Sequence, residues 1–292
     1  FKKQEDIMKK NLKMIGMLVL LTALVLSVGC TKKAANEAGS NRLEQIIKRG
    51  YIEVVTEPYF APYEFIDPSK SGSEQYVGSD MEFAKYIADK LGVTLKVIPL
   101  EFGAVLSSIT EGKYDLAISA LAYTPARAEA MNLSKGYYFS KDTPGYGLLI
   151  REEDEASIKN AEDLADKVVV AQSGSLQELF ANEQIPKFKE LKRVSATTDG
   201  ILMVEEDKAD ACVVAKAMAQ LYIDANVGCG LKVVENFEFE IDDELNGTRV
   251  GIPLGEDALT EKINEFADEV ISSGQYEKWY NEYTEYAKSL GL

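Results

Sequence analysis

One arginine in this sequence stands where a helix usually carries an acid. Residues 116 to 121 form a short, nearly all-apolar run, typical of a strand buried on both faces. The run leads to Thr124, a predicted N-cap, and Pro125, a predicted first helical residue. Arg127 is then the third helical residue, where a cation opposes the helix dipole. A bound carboxylate would compensate this charge. The alternative is a solvated arginine beside a nearby glutamate.

The remaining reactive residue types are few. The chain has no histidine, which excludes histidine-based triads, histidine metal sites and imidazole acid–base chemistry. Cys212 falls in a predicted buried strand and Cys229 in a Gly-Cys-Gly turn, so a disulfide and two free thiols both stay open. No P-loop is present, so we expect no ATP hydrolysis by this chain. We expect no metal and no cofactor.

Residues 8 to 30 have the proportions of a signal peptide. A basic start is followed by an apolar core at 14 to 26, too short to span a membrane, and by small residues before Cys30. We expect residues 1–29 to be upstream sequence and signal peptide, and residues 30–40 to be a flexible tether. After their removal the chain carries 27 basic and 46 acidic residues, a net charge of −19 that repels nucleic acid.

Cys30 resembles the cysteine of a bacterial lipobox, which receives a lipid and becomes the first mature residue. The resemblance implies palmitate at Cys30 and a protein held outside the cytoplasm on the bacterial cell membrane. Ser27 stands where leucine is usual, three residues before the cysteine. Plain cleavage and release is therefore the alternative.

Strands and helices alternate along the rest of the chain. Between them, residues 57 to 65 carry two prolines and four aromatics, which predicts a rigid loop with exposed rings beyond a strand end, where α/β sheets bind ligands. Residues 207 to 215 parallel 112 to 120, so we expect two similar lobes. The predicted strands are 51–56, 93–100, 116–121, 167–171, one that contains Cys212 and 248–253, and the predicted helices are 42–48, 78–92, 102–110, 125 onward, 158–164, 175 onward, 201–206, 259–271 and 276–286. This order predicts an α/β fold with mostly parallel sheets.

Five motifs together are similar to the signatures of one family. They are Gly78-Ser79-Asp80-Met81-Glu82-Phe83, Gly112-Lys113-Tyr114-Asp115, Thr124-Pro125-Ala126-Arg127, Gln172-Ser173-Gly174-Ser175 and Gly274-Gln275-Tyr276. Residues 41 to 290 thereby resemble the polar amino-acid-binding proteins of ABC importers, which are family 3 solute-binding lipoproteins with a periplasmic-binding-protein-like type II fold. The resemblance implies two α/β lobes joined by a two-strand hinge, lobe 1 at 41–141 plus 243–292 and lobe 2 at 142–242. It also implies a monomeric, non-enzymatic receptor that closes on an amino acid and delivers it to a permease with its ATPase.

The resemblance also assigns roles to individual residues. Arg127 matches the residue that grips the ligand α-carboxylate, and Glu57 the position that meets the polar end of the side chain. The other matched positions flank the carboxylate and ammonium groups, sandwich the side chain, or complete the site from lobe 2: Ser119, Ala120 and Ala122; Phe60 and Phe102; Gln172 and Ser175. Phe102 as a plain core residue and Glu57 as a solvated rim charge are the alternatives.

Two alanines depart from the family pattern. Ala122 replaces a usual hydroxyl, and Ala215 stands where a carboxylate normally holds the ligand α-ammonium. An unpaired ammonium in a closed cleft would cost several kcal/mol. We therefore hypothesise that Glu57 takes the ammonium, which would leave Tyr59, Phe60, Phe102 and Tyr123 around an uncharged side chain, aromatic ones included.

Two other functions stay open on the sequence. Some proteins that resemble this fold are dehydratases of cyclohexadienyl acids such as prephenate and arogenate. Glu57 in an aromatic pocket could serve as their general acid with a raised pKa. The lost carboxylate at 215 favours this interpretation, and the absence of histidine disfavours it. A surface adhesin role, using the acidic exterior, is the second alternative and could coexist with transport.

Overall fold

Two five-stranded sheets, each covered by helices, dominate the computed structural model, which describes residues 41–139 and 145–292. The first lobe contains α1 (Arg42–Arg49), β1 (Tyr51–Thr56), β2 (Tyr59–Phe60), β3 (Glu64–Ile66), β4 (Tyr76–Val77), α2 (Ser79–Leu91), β5 (Thr94–Pro99), α3 (Phe102–Thr110), β6 (Leu116–Ala122), α4 (Pro125–Ala130), β7 (Met131–Leu133) and, late in the chain, β13 (Thr248–Pro253), α8 (Asp257–Ser272) and α9 (Gln275–Leu290). The second contains β8 (Tyr146–Arg151), β9 (Val168–Gln172), α5 (Leu176–Gln184), β10 (Glu190–Val194), α6 (Thr197–Glu205), β11 (Ala211–Ala215), α7 (Lys216–Ala225) and β12 (Leu231–Val233).

The first sheet has the strand order β5-β1-β6-β13-β7. Strands β5, β1 and β6 are parallel, and β13 runs antiparallel to both β6 and β7. The apolar run that precedes Arg127 is β6, in the middle of the sheet and buried on both faces. Because parallel strands end at the same edge, Glu57 after β1 lies beside the end of β6.

The second sheet repeats this plan in the order β10-β9-β11-β8-β12, with β8 as its antiparallel member. The aspartate before each middle strand makes the same contact: Asp115 accepts a hydrogen bond from the Glu53 N–H at 2.8 Å, and Asp210 one from the Val168 N–H at 2.7 Å. The sequence repeat therefore corresponds to two equivalent middle strands, and the prediction of two similar α/β lobes is confirmed.

The predicted loop at 57 to 65 is wrong in its outer part. Strands β2, β3 and β4 form a small antiparallel sheet, and Phe65 and Val77 bury their side chains against α9. Tyr59 alone of the four aromatics is exposed, at 50%. The Phe65 ring is buried and the rings of Phe60 and Tyr63 are partly exposed, whereas the loop prediction placed all of them in solvent.

Other elements differ from the predictions in length or type. The helix expected at 158–164 is a 3-10 turn, Ala161–Leu164, capped by Asn160. Strand β10 was not predicted because its sequence, ELKRV, lacks an apolar run. Helix α9 extends beyond the predicted 276–286, and Ile271, placed on the apolar face of α8, is 44% exposed.

The chain crosses between the lobes twice, and the two crossings lie side by side. Thr248 donates its N–H to the Tyr138 carbonyl, and Phe239 donates its N–H to the Tyr146 carbonyl, both at 2.9 Å. Residues 140–144, and with them the lobe boundary predicted at 141/142, lie outside the described residues. Helix α9 of the first lobe also contacts α7 of the second.

Several sequence predictions fall on residues 1–40, outside the described part of the chain: the signal peptide, the tether and Cys30. Cys212 is buried in β11, Cys229 is partly exposed, and both are free thiols. Among residues 41–139 and 145–292, no helix is long and apolar enough to cross a bilayer. The same residues contain no cluster of acids and cysteines suited to a metal ion.

Candidate ligand-binding site

A cavity of about 30 Å³ lies between the two lobes at the ends of β1, β6 and β9. It brings together nine of the ten ligand-binding residues predicted from the sequence and four others. Its lining consists of Glu57, Phe60, Glu64, Phe102, Ser119, Ala120, Ala122 and Arg127 from the first lobe, and Tyr146, Gln172, Ser175, Leu176 and Gln177 from the second.

Arg127 lines this cavity and is held by hydrogen bonds to both lobes. Thr124 caps α4 by accepting the Arg127 N–H at 3.1 Å, as the sequence predicted. The guanidinium donates to the Ala122 carbonyl at 2.8 Å and, across the cleft, to the Gly174 carbonyl at 3.0 Å. It packs over the Phe102 ring, 5.4 Å from its centroid.

The environment of Arg127 is that of an unneutralised buried cation. Its side chain is only 8% exposed, and burial lowers its pKa to about 10. No carboxylate in the described part of the chain lies within ion-pair distance of it, so the alternative of a solvated arginine beside a glutamate is wrong. A guanidinium with two carbonyl partners keeps donors for a planar, doubly accepting anion.

Ser119 and Ala120 form the floor of the cavity. Ser119 Oγ accepts the Glu57 N–H at 3.0 Å and donates to Glu64 Oε1 at 3.2 Å. Ala120 has φ of 47°, in the left-handed region that a residue with a Cβ rarely adopts. Its N–H donates to Asp80 Oδ2 at 2.7 Å, and this bond offsets the strain.

Asp80 connects this floor to the core of the first lobe. It is fully buried in the first turn of α2, where the helix dipole favours a negative charge. The hydroxyls of Tyr137 and Tyr276 donate to its other oxygen. Gly78, just before α2, has φ of 129°, and a Cβ there would lie 2.1 Å from the Tyr63 carbonyl oxygen.

Two glutamates, Glu57 and Glu64, also line the cavity. Glu57 is 2% exposed and Glu64 1%, so the alternative of Glu57 as a solvated rim charge is wrong. Burial raises the pKa of Glu57 to about 8, against a lowering by a hydrogen bond from Gln172. Burial, and next the charges of Asp80 and Glu57, hold the pKa of Glu64 well above its usual range.

One oxygen of each glutamate, Glu57 Oε1 and Glu64 Oε2, is buried without a hydrogen-bond partner. Sequence reasoning missed Glu64. The available signal was a lone acid between two aromatic residues in a short extended run, Tyr63-Glu64-Phe65. An acid in such a position indicates a buried polar contact but does not identify the partner residue.

The aromatic residues divide between the cavity and its surroundings. Phe102 lines the cavity and also packs in the core of the first lobe, and its contact with a ligand side chain stays a prediction. Phe60 stacks on Tyr63 at 5.7 Å between ring centroids. Tyr59 and Tyr123 lie outside the cavity, which corrects the predicted set of surrounding rings, and Tyr146 from β8 joins it instead.

The second lobe contributes uncharged groups at the start of α5. Ser175 Oγ donates to the Gln172 carbonyl at 2.6 Å and accepts the Glu178 N–H at 3.2 Å. The predicted capping box is only half formed, because Glu178 accepts the N–H of Gly174 rather than that of Ser175. Gln172 is fixed by the Ser195 carbonyl at 2.9 Å and the Thr197 hydroxyl at 3.3 Å.

Ala215, the tenth predicted residue, lines a neighbouring cavity of about 290 Å³. The two cavities share Phe60, Ala120, Ala122, Tyr146 and Leu176 and are therefore adjacent. Glu238, an acid on the wall of the larger cavity, pairs with Lys216 at 3.4 Å and accepts the Gly145 N–H at 3.2 Å.

Known proteins resemble this chain over most of its length. The chain matches the family model of the bacterial extracellular solute-binding proteins, family 3, over residues 52–286. It is 25% identical to the arginine-binding extracellular protein ArtP of Bacillus subtilis, over 89% of this chain and 94% of that protein.

Solved structures agree with the sequence comparisons. The amino acid ABC transporter substrate-binding protein AbpA of Streptococcus pneumoniae, bound to L-arginine, superposes with a TM-score of 0.74 at 30% identity, covering 84% of this chain and 98% of that one. An ancestral amino-acid-binding protein described as a precursor of cyclohexadienyl dehydratase gives a TM-score of 0.70 at 26% identity, covering 84% and 100%.

Proposed function

The chain belongs to the bacterial extracellular solute-binding proteins of family 3, and from this membership we propose that it captures an amino acid between its lobes for an ABC importer. The ligand carboxylate lies on Arg127 and on the N–H groups at the start of α5. The rings of Phe60 and Phe102 enclose the side chain. The type II fold and the two adjacent crossings supply the closing motion.

A single observation carries this proposal. The Arg127 guanidinium is buried beside the cleft, and its hydrogen bonds go to one backbone carbonyl from each lobe. A buried cation without a counter-ion is costly, and a carboxylate in the fork of the guanidinium removes that cost while keeping the interlobe bond. Ligand binding and lobe closure are thereby coupled through one side chain.

The setting of this activity is also part of the proposal. The signal peptide places the protein outside the cytoplasm, and lipid on Cys30 anchors it to the membrane. The tether of residues 30–40 lets the lobes reach a permease, whose ATPase subunit supplies the energy for import. The protein works as a monomer, without a cofactor, and has no catalytic activity of its own.

A thermal-shift screen of residues 31–292, refolded to strip any co-purified ligand, against the proteinogenic amino acids tests the proposal. A ligand at a hundred times its Kd stabilises the folded state by about 2.7 kcal/mol, which is a shift of a few degrees. Arg127→Ala should weaken binding of every hit by about 100-fold or more, as expected when one member of a buried ion pair is removed.

Gln172→Ala is the matched second-lobe variant and should weaken the same ligands by less than about tenfold, because it removes the hydrogen bonds of a neutral amide and no ion pair. If no amino acid shifts the transition, or if Arg127→Ala binds like the wild type, the proposal fails.

A second candidate function rests on Glu57. Its pKa of about 8 would keep the carboxyl protonated at neutral pH, as a general acid requires. The likeness to a dehydratase precursor adds a fold-level reason. The test is turnover of prephenate and arogenate, with Glu57→Gln as the control. If the wild type converts either acid and Glu57→Gln does not, the protein is an enzyme and not a receptor. If the wild type converts neither acid, this candidate function is removed.

A further inference from the structure

We propose that the ligand is an amino acid whose α-nitrogen carries an apolar acyl group, and that this group lies in the cavity of about 290 Å³ beside the Arg127 cavity, here called the second cavity. This inference rests on the proposed function, because it takes the ligand carboxylate to lie on Arg127. It departs from the hypothesis that Glu57 binds a free α-ammonium, since an acylated nitrogen carries no charge at neutral pH.

The Arg127 cavity is too small for a whole amino acid. A water molecule needs about 10–15 Å³ of such space, so a cavity of about 30 Å³ holds a carboxylate but not the rest of the ligand. The second cavity shares five lining residues with it. Two other cavities lined by described residues, of about 620 and 710 Å³, share only Glu57 and only Arg127 with Ser175, respectively. The second cavity is therefore the most direct continuation of the site.

The walls of the second cavity suit an apolar group. Aromatic and aliphatic side chains make up most of its lining, among them Pro62, Tyr138, Met218, Ile241, Leu245 and Tyr280. Glu238 is the one acid or base among the described residues that line it. Both of its oxygens are engaged, with Lys216 at 3.4 Å and with the Gly145 N–H at 3.2 Å. A ligand ammonium here would lack a free carboxylate, and leaving a buried ammonium unpaired is costly.

The start of α7 also disfavours an ammonium in the second cavity. Ala215 is the N-cap of this helix and makes no side-chain cap hydrogen bond, and Ala217 and Met218 of its first turn line the cavity as well. The positive end of a helix repels a cation and attracts a carbonyl oxygen. An acyl group brings such an oxygen and leaves the ligand nitrogen neutral.

The acids of the first lobe are poor substitutes for the missing carboxylate. Burial raises the pKa of Glu57 to about 8, so an ammonium that binds it at neutral pH must first displace a proton. Glu64 is hydrogen-bonded to Ser119 and to the buried carboxyl of Asp80. An amide has no such cost, because it asks for neither a charge nor a proton.

Isothermal titration calorimetry with arginine, glutamine and phenylalanine, each free and Nα-acetylated, provides the test. For the side chain that the site accepts, the acetylated form should bind about tenfold or more tightly than the free amino acid. Each further methylene of the acyl group that becomes buried should add about threefold, as measured with Nα-butyryl compounds. Arg127→Ala should weaken the acetylated form about 100-fold, because the carboxylate is unchanged.

Two variants of equal shape at Ala215 separate charge from volume. Ala215→Asp supplies a carboxylate beside the ligand nitrogen and should reverse the preference, so that the free amino acid binds about tenfold more tightly than the acetylated one. Ala215→Asn takes up the same space without a charge and should leave the free amino acid bound no more tightly than in the wild type. Both residues are favoured at an N-cap, so both variants should fold, and the Tm without ligand checks this.

Glycylphenylalanine distinguishes a simple acyl group from a peptide. It has the same amide as Nα-acetylphenylalanine and an added ammonium, which the second cavity does not neutralise. It should therefore bind more weakly than the acetylated amino acid, and tighter binding would overturn the choice of an apolar acyl group.

The contrary results have separate meanings. If the wild type binds the free amino acids as tightly as the acetylated ones, or more tightly, the inference is overturned and the proposed function stands. The same holds if Ala215→Asp leaves the ratio of the two forms unchanged, because the ligand nitrogen would then lie elsewhere. If neither form of the three amino acids binds, and no other amino acid does, the proposed function itself is lost.

Discussion

The two walls of the cleft differ in charge and in the way they are held. The first lobe supplies every charged side chain of the cavity, Glu57, Glu64 and Arg127, and fixes its floor through buried Asp80. The second lobe supplies amide, hydroxyl, aromatic and aliphatic groups around the start of α5. The lobes share one topology, so the difference lies in the residues at the strand ends. In the proposed function, the first lobe would therefore select the ligand and the second would cover it.

Gly78→Ala would test the first wall most severely. The backbone there has φ of 129°, a conformation nearly restricted to glycine, and the new Cβ would meet the Tyr63 carbonyl at 2.1 Å. We expect a loss of roughly 3–5 kcal/mol in the free energy of unfolding, measured with urea.

Gly174→Ala is the counterpart on the second wall. Its φ is 74°, but the nearest atom to a Cβ is the end of the Leu106 side chain at 3.3 Å, which can move. We expect a loss of about 1–2 kcal/mol. Equal losses for the two variants would contradict the idea that the first wall is the more tightly constrained one.

Asp80→Asn should disturb the floor of the cavity next most strongly. It removes a charged acceptor from Ala120, Tyr137 and Tyr276, which should cost about 2–3 kcal/mol in unfolding free energy and weaken ligand binding. Ala120→Gly in the Asp80→Asn background should restore much of the binding, because glycine adopts the left-handed conformation without strain. Failure of this rescue would show that Asp80 supports the fold without positioning Ala120.

Glu57 should make the stability of the ligand-free protein depend on pH. The ordinary pKa of a glutamate is 4.5, and burial raises that of Glu57 to about 8 in the fold, so between these values the folded state binds the extra proton. Its contribution is therefore complete below pH 4.5 and is lost as the pH rises through 8. Glu57→Gln stays uncharged, so the variant should gain about 2 kcal/mol relative to wild type between pH 5 and pH 7. A constant difference in urea titrations across that range would contradict this.

The two helix caps at the cleft should give the smallest effects and the finest comparison. Thr124→Ala and Ser175→Ala each remove a cap and should each cost about 1 kcal/mol in unfolding free energy. Both caps hold a helix start that the proposed function places on the ligand carboxylate, and Thr124 also bonds the Arg127 N–H, so Thr124→Ala should weaken ligand binding more than Ser175→Ala. Calorimetric titration of both variants with the same ligand measures the contrast, and an equal loss of affinity would argue against it.

Local patterns were sufficient for much of the fold. The apolar runs of β6 and β11, the cap at Thr124 and the glycine stop after α8 each predict a structure from a few neighbouring residues, and each is present. Strand β10 and the hairpin of β2 and β3 were not predicted. The first is half-exposed with mixed polarity, and the second contains two prolines that favour a loop.

The site was predictable where one residue type identifies one chemistry. Arg127 was found because a cation at the start of a helix conflicts with its surroundings. Glu64 was missed because its burial depends on Ser119, 55 residues away, and on Asp80, which only the folded sheet brings near it. Tyr146 was missed for the same reason, since its strand reaches the cavity only through the arrangement of the two lobes.

The hydrogen bond from Arg127 to the Gly174 carbonyl has a kinetic consequence. The ligand carboxylate and the second lobe would share one guanidinium, so the ligand cannot leave while that bond keeps the lobes together. Its residence time is then set by the frequency of lobe opening rather than by the strength of its own contacts.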